Sequence, residues 1–521
     1  MTSSEHDEAA DPAVRPGTGQ AAAAPAAPEA AAEGGPAVLT LPPPPEDTVV
    51  VPADEDPVAA AGSEVLGGAP GRRALLGVSW WTAARVLAVC TIIVFALGMV
   101  QKVPCYNSGW FFGTTAQYDH ACYSDIPHMF ALRGFSTGTI PYLDKIPGAT
   151  DIHMQYLEYP VLSGLFMWFA AWLTPSSGTD MHREQVYWLL NSGMLMICAV
   201  VAVIAVMRTH RRRPWDALLF ALAPVLALNA TVNWDLFAVA VTSLALACWA
   251  NRRVVWAGVL LGLAVSAKFY PLLLLLPLLA LCWRAGRLRE FRRAVAAAAG
   301  AWLVLNLPFM LLNFSGWATF WTYNANRGID YGSFWLILSQ NGVVAWSTTT
   351  VNTVIVLLMA LCGLGVCWLA LGAQRRPRLA QLAFLIVAAF VLTSKVYSPQ
   401  YVLWLLPLAV LARPRWRDFL VWQACEVLYF LAIWFNFAYS TSPHQKGLPP
   451  DWYHAAIVVH ILGVLYLCVT VIRDVLMPEY DVVRWDGSDD PSGGVLDRQD
   501  DVFTVADDTY PAPKFVDSSS G

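Results

Sequence analysis

Apolar residues fall in long runs along this chain, and polar residues gather between them. The runs lie near 82–101, 186–207, 215–231, 235–250, 254–268, 270–283, 294–312, 349–372, 379–394, 399–412, 417–437 and 454–472. Several approach the ~20 apolar residues that a helix needs to span a bilayer. The shorter ones suit tilted pairs or half-helices across a core of about 30 Å. The pattern predicts an all-α polytopic membrane protein of about twelve transmembrane helices.

Charge sorts the runs into sides. Arg and Lys cluster at 208–213, 252–253, 284–293, 375–378, 413–417 and at Arg473. With twelve crossings every cluster falls on the side of Arg72. Of the 29 basic residues between 71 and 477, that side holds 21, with four acidic ones; the other holds eight basic and ten acidic, and Glu426 is left mid-membrane. The positive-inside rule makes the crowded side cytoplasmic, in the plasma membrane, and both termini cytoplasmic with it. The run 159–174 is also apolar. Counting it as a crossing would send Arg211, Arg212 and Arg213 outward. Short and Trp-rich, it reads as a helix lying on, or dipping into, the outer face.

Composition agrees. Of 521 residues, 57% are hydrophobic and 14% charged, against roughly 25% charged in a soluble domain. A secreted disulfide scaffold, a coiled coil and a nucleic-acid partner are excluded. The net charge of −5 divides into −11 for residues 1–70, +14 for 71–477 and −8 for 478–521. Residues 1–70, rich in Ala and Pro, and the acidic stretch 478–521 are poor in core-forming residues. Both are expected to be disordered cytoplasmic tails flanking a membrane domain, 71–477.

The loop between the first two runs, 102–185, is far longer than an ordinary connection, and such loops are usually functional. It carries Asp119, Asp125, Asp144, Asp151 and Glu158, with His120, His128, His153 and His182. Cys105 and Cys122 both fall in it and can pair outside the membrane; the other eight cysteines lie in apolar runs and read as small buried hydrophobes. A second outer loop, 313–348, is rich in Trp, Tyr and Asn and contains Arg327.

Several stretches recur in a recognisable order: Tyr123-Ser124-Asp125-Ile126, Gly138-Thr139-Ile140-Pro141-Tyr142, Glu158-Tyr159-Pro160-Val161-Leu162, Asn233-Trp234-Asp235-Leu236-Phe237, Ala267-Lys268-Phe269-Tyr270-Pro271-Leu272 and Ser394-Lys395-Val396-Tyr397-Ser398-Pro399-Gln400-Tyr401. With this order the region 80–470 resembles the GT-C class of membrane glycosyltransferases, and within it the polyprenyl-phosphate-mannose-dependent α-mannosyltransferases of family 87 from actinobacteria. The resemblance implies a GT-C-like fold whose large outer loop carries interfacial helices and an acidic catalytic residue. It implies transfer of a hexose, mannose by family, from a polyprenyl-phosphate sugar to a hydroxyl of a cell-envelope glycan or glycolipid, with inversion, on the extracytoplasmic face.

That chemistry needs a base for the acceptor proton and cations for the departing phosphate. Asp125 matches the family position and is the candidate base; Asp119 competes, and a solvated loop carboxylate is the plain alternative. Asp235 reads either as a helix N-cap or as a holder of metal or a substrate hydroxyl. Lys268 and Lys395 end apolar runs on the acid-rich side. With Arg327 they read as a phosphate clamp, or as rim cations that snorkel. Tyr270, Tyr397 and Tyr401 stand beside them as candidate sugar contacts. His128 follows Asp125 by three and would share its face on a helix. Glu426, alone in an apolar run, is a functional suspect or a protonated, hydrogen-bonded carboxyl. No cofactor is required by the sequence, and a divalent metal ion stays open. Neither a phosphate-binding loop nor a dinucleotide fingerprint occurs, so the donor is expected to be membrane-borne, with membrane lipids as the other partners. The rival class is a multi-span transporter or flippase of lipid-linked sugars, against which stand the absence of internal repeats and the rim position of most charges.

Overall fold

The computed structural model describes residues 49–65, 80–112 and 115–505; residues 1–48 and 506–521, expected as disordered tails, lie outside it, as do 66–79. Every regular element among the described residues is helical. Among the described residues, six helices are long and apolar enough to cross a membrane: Ala83–Gln101, Asp180–Thr209, Leu288–Leu312, Thr348–Gly372, Trp416–Thr441 and Pro450–Leu476. Shorter apolar helices stand among them, including Asp235–Ala250, Val254–Ala267, Tyr270–Arg284, Leu379–Thr393 and Pro399–Ala412. The protein is a polytopic membrane protein.

Contacts at the tips of these helices define two ends of one bundle. At one end Gln101 reaches the carbonyls of His120 and Ala121, Asn233 meets Asp125, and Tyr453 meets Gly332. At the other end Arg213, Arg284 and Arg378 meet the chain's own terminal segments, and Arg413 meets Asp474. The run 215–231 is the irregular pass. It folds as Pro214–Ala217, Leu218–Ala221 and Pro224–Asn229, with a break before Pro224, yet it still runs from one end to the other. Pro cannot donate the ladder hydrogen bond, so the break falls where the residue is.

The run 159–174 behaves differently. Its helix, Val161–Leu173, begins where Ser163 donates to the Ala267 carbonyl (2.6 Å). It returns to the same end, where Arg183 ties Pro175 and Ser136 together. It enters and leaves at the loop-bearing end, as an interfacial helix does.

Small residues set the closest packing. A Cβ on Gly258 or Gly262 would sit 2.2 or 2.1 Å from the carbonyl oxygen of Ala294 or Ala298. The helices Val254–Ala267 and Leu288–Leu312 thus touch backbone to backbone, the close approach that small residues permit in membranes. Cys105 and Cys122 form a disulfide, Cα–Cα 5.8 Å, that closes the start of the long loop.

The terminal segments correct the expectation of two disordered tails. Residues 49–65 form Pro52–Glu55 and Pro57–Val65, with Glu55 paired to Arg213 (2.9 Å) and the Asp56 carboxylate accepting from the Trp416 amide (2.9 Å). Residues 478–505 fold across the arginine-rich end. Asp481 binds fully buried Arg378 through both oxygens (2.7 and 2.9 Å), Asp501 binds Arg284 and Arg376, and Asp489 binds Arg375. Composition misleads here because this segment gains order from arginines it neutralises, with Val482, Val483 and Leu496 among its buried apolar anchors.

Candidate active site

Asp125 opens the helix Asp125–Leu132, capped by Ser124, whose hydroxyl accepts from the Ile126 amide and donates to the Thr231 carbonyl (2.6 Å). The Asp125 amide donates to the Val232 carbonyl (2.8 Å). The loop 102–185 is thereby stitched to the turn before Asp235–Ala250, and the carboxylate is fixed from both sides. Its Oδ1 accepts from the Tyr123 hydroxyl (2.7 Å) and its Oδ2 from Asn233 Nδ2 (2.7 Å). Burial pushes the Asp125 carboxyl above the usual carboxylate range, while these two hydrogen bonds and His128 pull it partway back.

A cavity of about 370 Å³ opens beside it, lined by Asp125 and Asn233 together with Arg133, Glu158, Tyr159, Lys268, Arg327, Gln400, Tyr401 and Trp434. A chain of contacts runs round its wall. Asn233 Nδ2 also donates to the Tyr159 hydroxyl (2.8 Å). The Lys268 amine lies 5.4 Å over the Tyr159 ring and 3.1 Å from Asp235 Oδ1. Trp404 Nε1 donates to that same oxygen (2.7 Å) and stacks on Tyr401, ring centroids 4.0 Å apart. Arg327 faces the cavity from the second outer loop, steadied by Asp330 (2.6 Å). Arg133 grips Glu158 through Nε and Nη2, Nε to Oε2 at 2.8 Å. One carboxylate held by neutral donors thus shares a wall with three cations and several rings.

The other sequence candidates sort by place. Lys268, Arg327 and Tyr401 line the cavity with Asp125. Asp235 is fully buried behind Lys268 as the first residue of its helix; the carboxylate goes to Trp404 and Lys268, and its Oδ2 has no hydrogen-bond partner. Asp119 is exposed outside the cavity and accepts from Thr115. His128 stands behind the Tyr123 ring, 5.8 Å between centroids, and bonds Gln117; burial lowers its pKa. Lys395 is not part of the lining. Its amine is taken by the Asn324 carbonyl and Asn352 Oδ1 (3.0 and 2.6 Å), so it fastens the second outer loop to the helix Thr348–Gly372. Tyr270 and Tyr397 are core residues: Tyr270 donates to Thr242 and stacks on Trp404, and Tyr397 donates to Glu426 (3.0 Å). Glu426 also accepts from Trp422 and lies 3.3 Å from His460, a fully satisfied buried carboxyl. Among the described residues, no group of three or more His, Cys, Asp or Glu side chains is arranged to hold a metal ion.

Tyr123, Asn233, Arg133, Glu158 and Tyr159 were not singled out from the sequence. The signal existed: Tyr123, Asn233, Glu158 and Tyr159 belong to the ordered stretches quoted above. Lys102, at the rim of the first helix, was also passed over. It is buried, donates to the Tyr123 carbonyl (3.1 Å), and burial brings its amine down to about 7.

A scan against protein-family models matches residues 156–394 to glycosyltransferase family 87. No curated protein matches the chain. The matched span contains Glu158, Tyr159, Asn233, Asp235, Lys268 and Arg327; Asp125 precedes it. The match indicates a membrane glycosyltransferase.

Proposed function

Starting from the match of residues 156–394 to glycosyltransferase family 87, we propose that the chain moves a hexose, mannose in our reading, from a polyprenyl-phosphate sugar to a hydroxyl of a cell-envelope glycan or glycolipid, at the extracytoplasmic face of the plasma membrane. The observation that supports it is the Asp125 carboxylate, held by the neutral donors Tyr123 and Asn233, on a cavity wall shared with Lys268, Arg327 and Arg133.

Asp125 takes the proton from the acceptor hydroxyl as its oxygen attacks the anomeric carbon. The bond from that carbon to the phosphate oxygen breaks, and the electron pair leaves with the polyprenyl phosphate. Lys268 and Arg327 meet the charge that grows on the phosphate, Lys as a point charge and Arg as a fork. Attack opposite the leaving group inverts the anomeric centre. Tyr159, Tyr401 and Trp434 offer apolar ring faces for the sugar. A raised Asp125 pKa suits a base, because a carboxyl nearer neutrality takes a proton more readily.

The test is transfer of labelled hexose from a purified polyprenyl-phosphate hexose by the protein in liposomes. Formation of a new glycosidic bond is expected. Movement of the donor across the bilayer with no bond formed would replace this reading with the flippase.

A further inference from the structure

At the end of the bundle opposite Asp125, a second cavity of about 260 Å³ lies between the 208–213 turn, the 250–252 turn and the docked C-terminal segment. Arg208, Arg211 and Arg252 line it, all exposed, and among the described residues none has a carboxylate partner. This sets them apart from their neighbours Arg212, paired with Asp486, and Arg213, paired with Glu55 and Asp216. His210 forms part of the same wall. It is buried, and among the described residues neither ring nitrogen has a hydrogen-bond partner. Two acids share the lining, but both are engaged elsewhere: Asp489 by Arg375 (3.0 Å), and Asp497 by the Asp490 amide (2.9 Å). What remains is a net positive hollow with an unpartnered buried imidazole.

Directly beside it runs an apolar groove of about 650 Å³ between the helices Asp180–Thr209 and Asp235–Ala250. Val201, Ile204, Leu244 and Cys248 form its sides. Arg208, Arg211 and Asn251 belong to both cavities. The groove and the basic hollow therefore adjoin at these three residues.

Arginines without carboxylate partners are by themselves ordinary at this rim of a membrane protein, and Arg211 also meets Asn251. The apolar groove adjoining them is the additional feature. A free anion has no use for the groove, and an uncharged lipid has no use for the arginines. Basic pockets between membrane helices suit anionic headgroups. We propose that this is a specific site for an anionic phospholipid of the leaflet opposite the catalytic cavity, with its phosphate among Arg208, Arg211 and Arg252 and an acyl chain along the groove.

The test uses full-length protein, delipidated in dodecyl maltoside and incubated with dioleoyl phosphatidylglycerol or dioleoyl phosphatidylcholine. Lipid retained per protein is then read by native mass spectrometry. The wild type is expected to retain phosphatidylglycerol about tenfold better than phosphatidylcholine, and excess inorganic phosphate should not displace it. The triple variant Arg208→Gln, Arg211→Gln, Arg252→Gln should lose the preference. Cys248→Trp, which fills the groove and leaves every arginine, should lose retention of both lipids, and it carries the test alone if the triple variant does not fold. Equal retention of the two lipids by wild type, an unchanged preference in the triple variant, displacement by inorganic phosphate, or full retention by Cys248→Trp would each overturn the proposal.

Discussion

Two carboxylates, one at each end of the bundle, one buried and one half-buried, show how this protein uses charge. Asp481 sits at the arginine-rich end and Asp125 at the cavity end. Burial pushes both carboxyls up. At Asp481 the bidentate Arg378 guanidinium, with Arg484 behind it, more than reverses the effect and holds the carboxyl below its ordinary range. At Asp125 the hydrogen-bonding partners are a phenol and an amide, and the carboxyl stays raised. A carboxylate matched to a guanidinium is consumed as structure. One held by neutral donors keeps its basicity and its place beside open space. Burial alone does not separate the two; partner charge does.

The contrast can be broken by mutation. In our account Asp125→Asn lowers transfer by about 10²–10⁴-fold, whereas Asp119→Asn, exposed and outside the cavity, stays near wild type; equal losses would put the base elsewhere. Lys268→Ala should follow, with a loss of about 10²–10³-fold if it meets charge on the leaving phosphate. Lys395→Ala should loosen the second outer loop and spare most of the turnover. A larger loss at Lys395 would reverse their roles.

At the other end, Arg378→Gln leaves buried Asp481 without its bidentate partner and with only the more distant Arg484 (3.7 Å), at a cost of up to about 3–5 kcal/mol. Thermal unfolding in detergent measures it, and transfer below the lowered Tm should persist. The Asp481 contribution also has a direction in pH. Its folded pKa is depressed, so it stabilises above the ordinary Asp range and is lost as pH falls through the folded value.

The smallest effect sharpens the comparison most. Tyr123→Phe removes a hydrogen bond that lowers the Asp125 pKa, so that pKa rises further. Asp125 must be ionised to accept a proton. The acid limb of the pH–rate profile should therefore move to higher pH, with only a modest change at the plateau. An unmoved or downward-shifted limb would disconnect Asp125 from that limb.

Much of this was legible in the sequence. Apolar runs gave the helices and parity gave the two ends, because bilayer-length burial leaves a plain one-dimensional trace. Parity also kept Val161–Leu173 out of the crossings, and both its ends do meet the same end of the bundle. Asp125, Lys268, Arg327 and Tyr401, singled out from motif order and rim position, line one cavity. What failed was anything set by direction in space. Tyr270 is two residues from Lys268, and Tyr397 two from Lys395, yet both turn into the core, toward Thr242 and Glu426. Asn233, two residues before Asp235, contributes more directly to the Asp125 site than Asp235 does. The acidic segment 478–505 was misread because its order depends on arginines far away in the chain, which local composition does not register.

The central claim is that Asp125 works on the reacting hydroxyl and does not merely hold the donor. Donor binding and turnover measured separately on purified Asp125→Asn decide it. The account predicts donor affinity close to wild type and kcat down by about 10²–10⁴-fold. Turnover near wild type, or a loss residing wholly in donor binding, would contradict it.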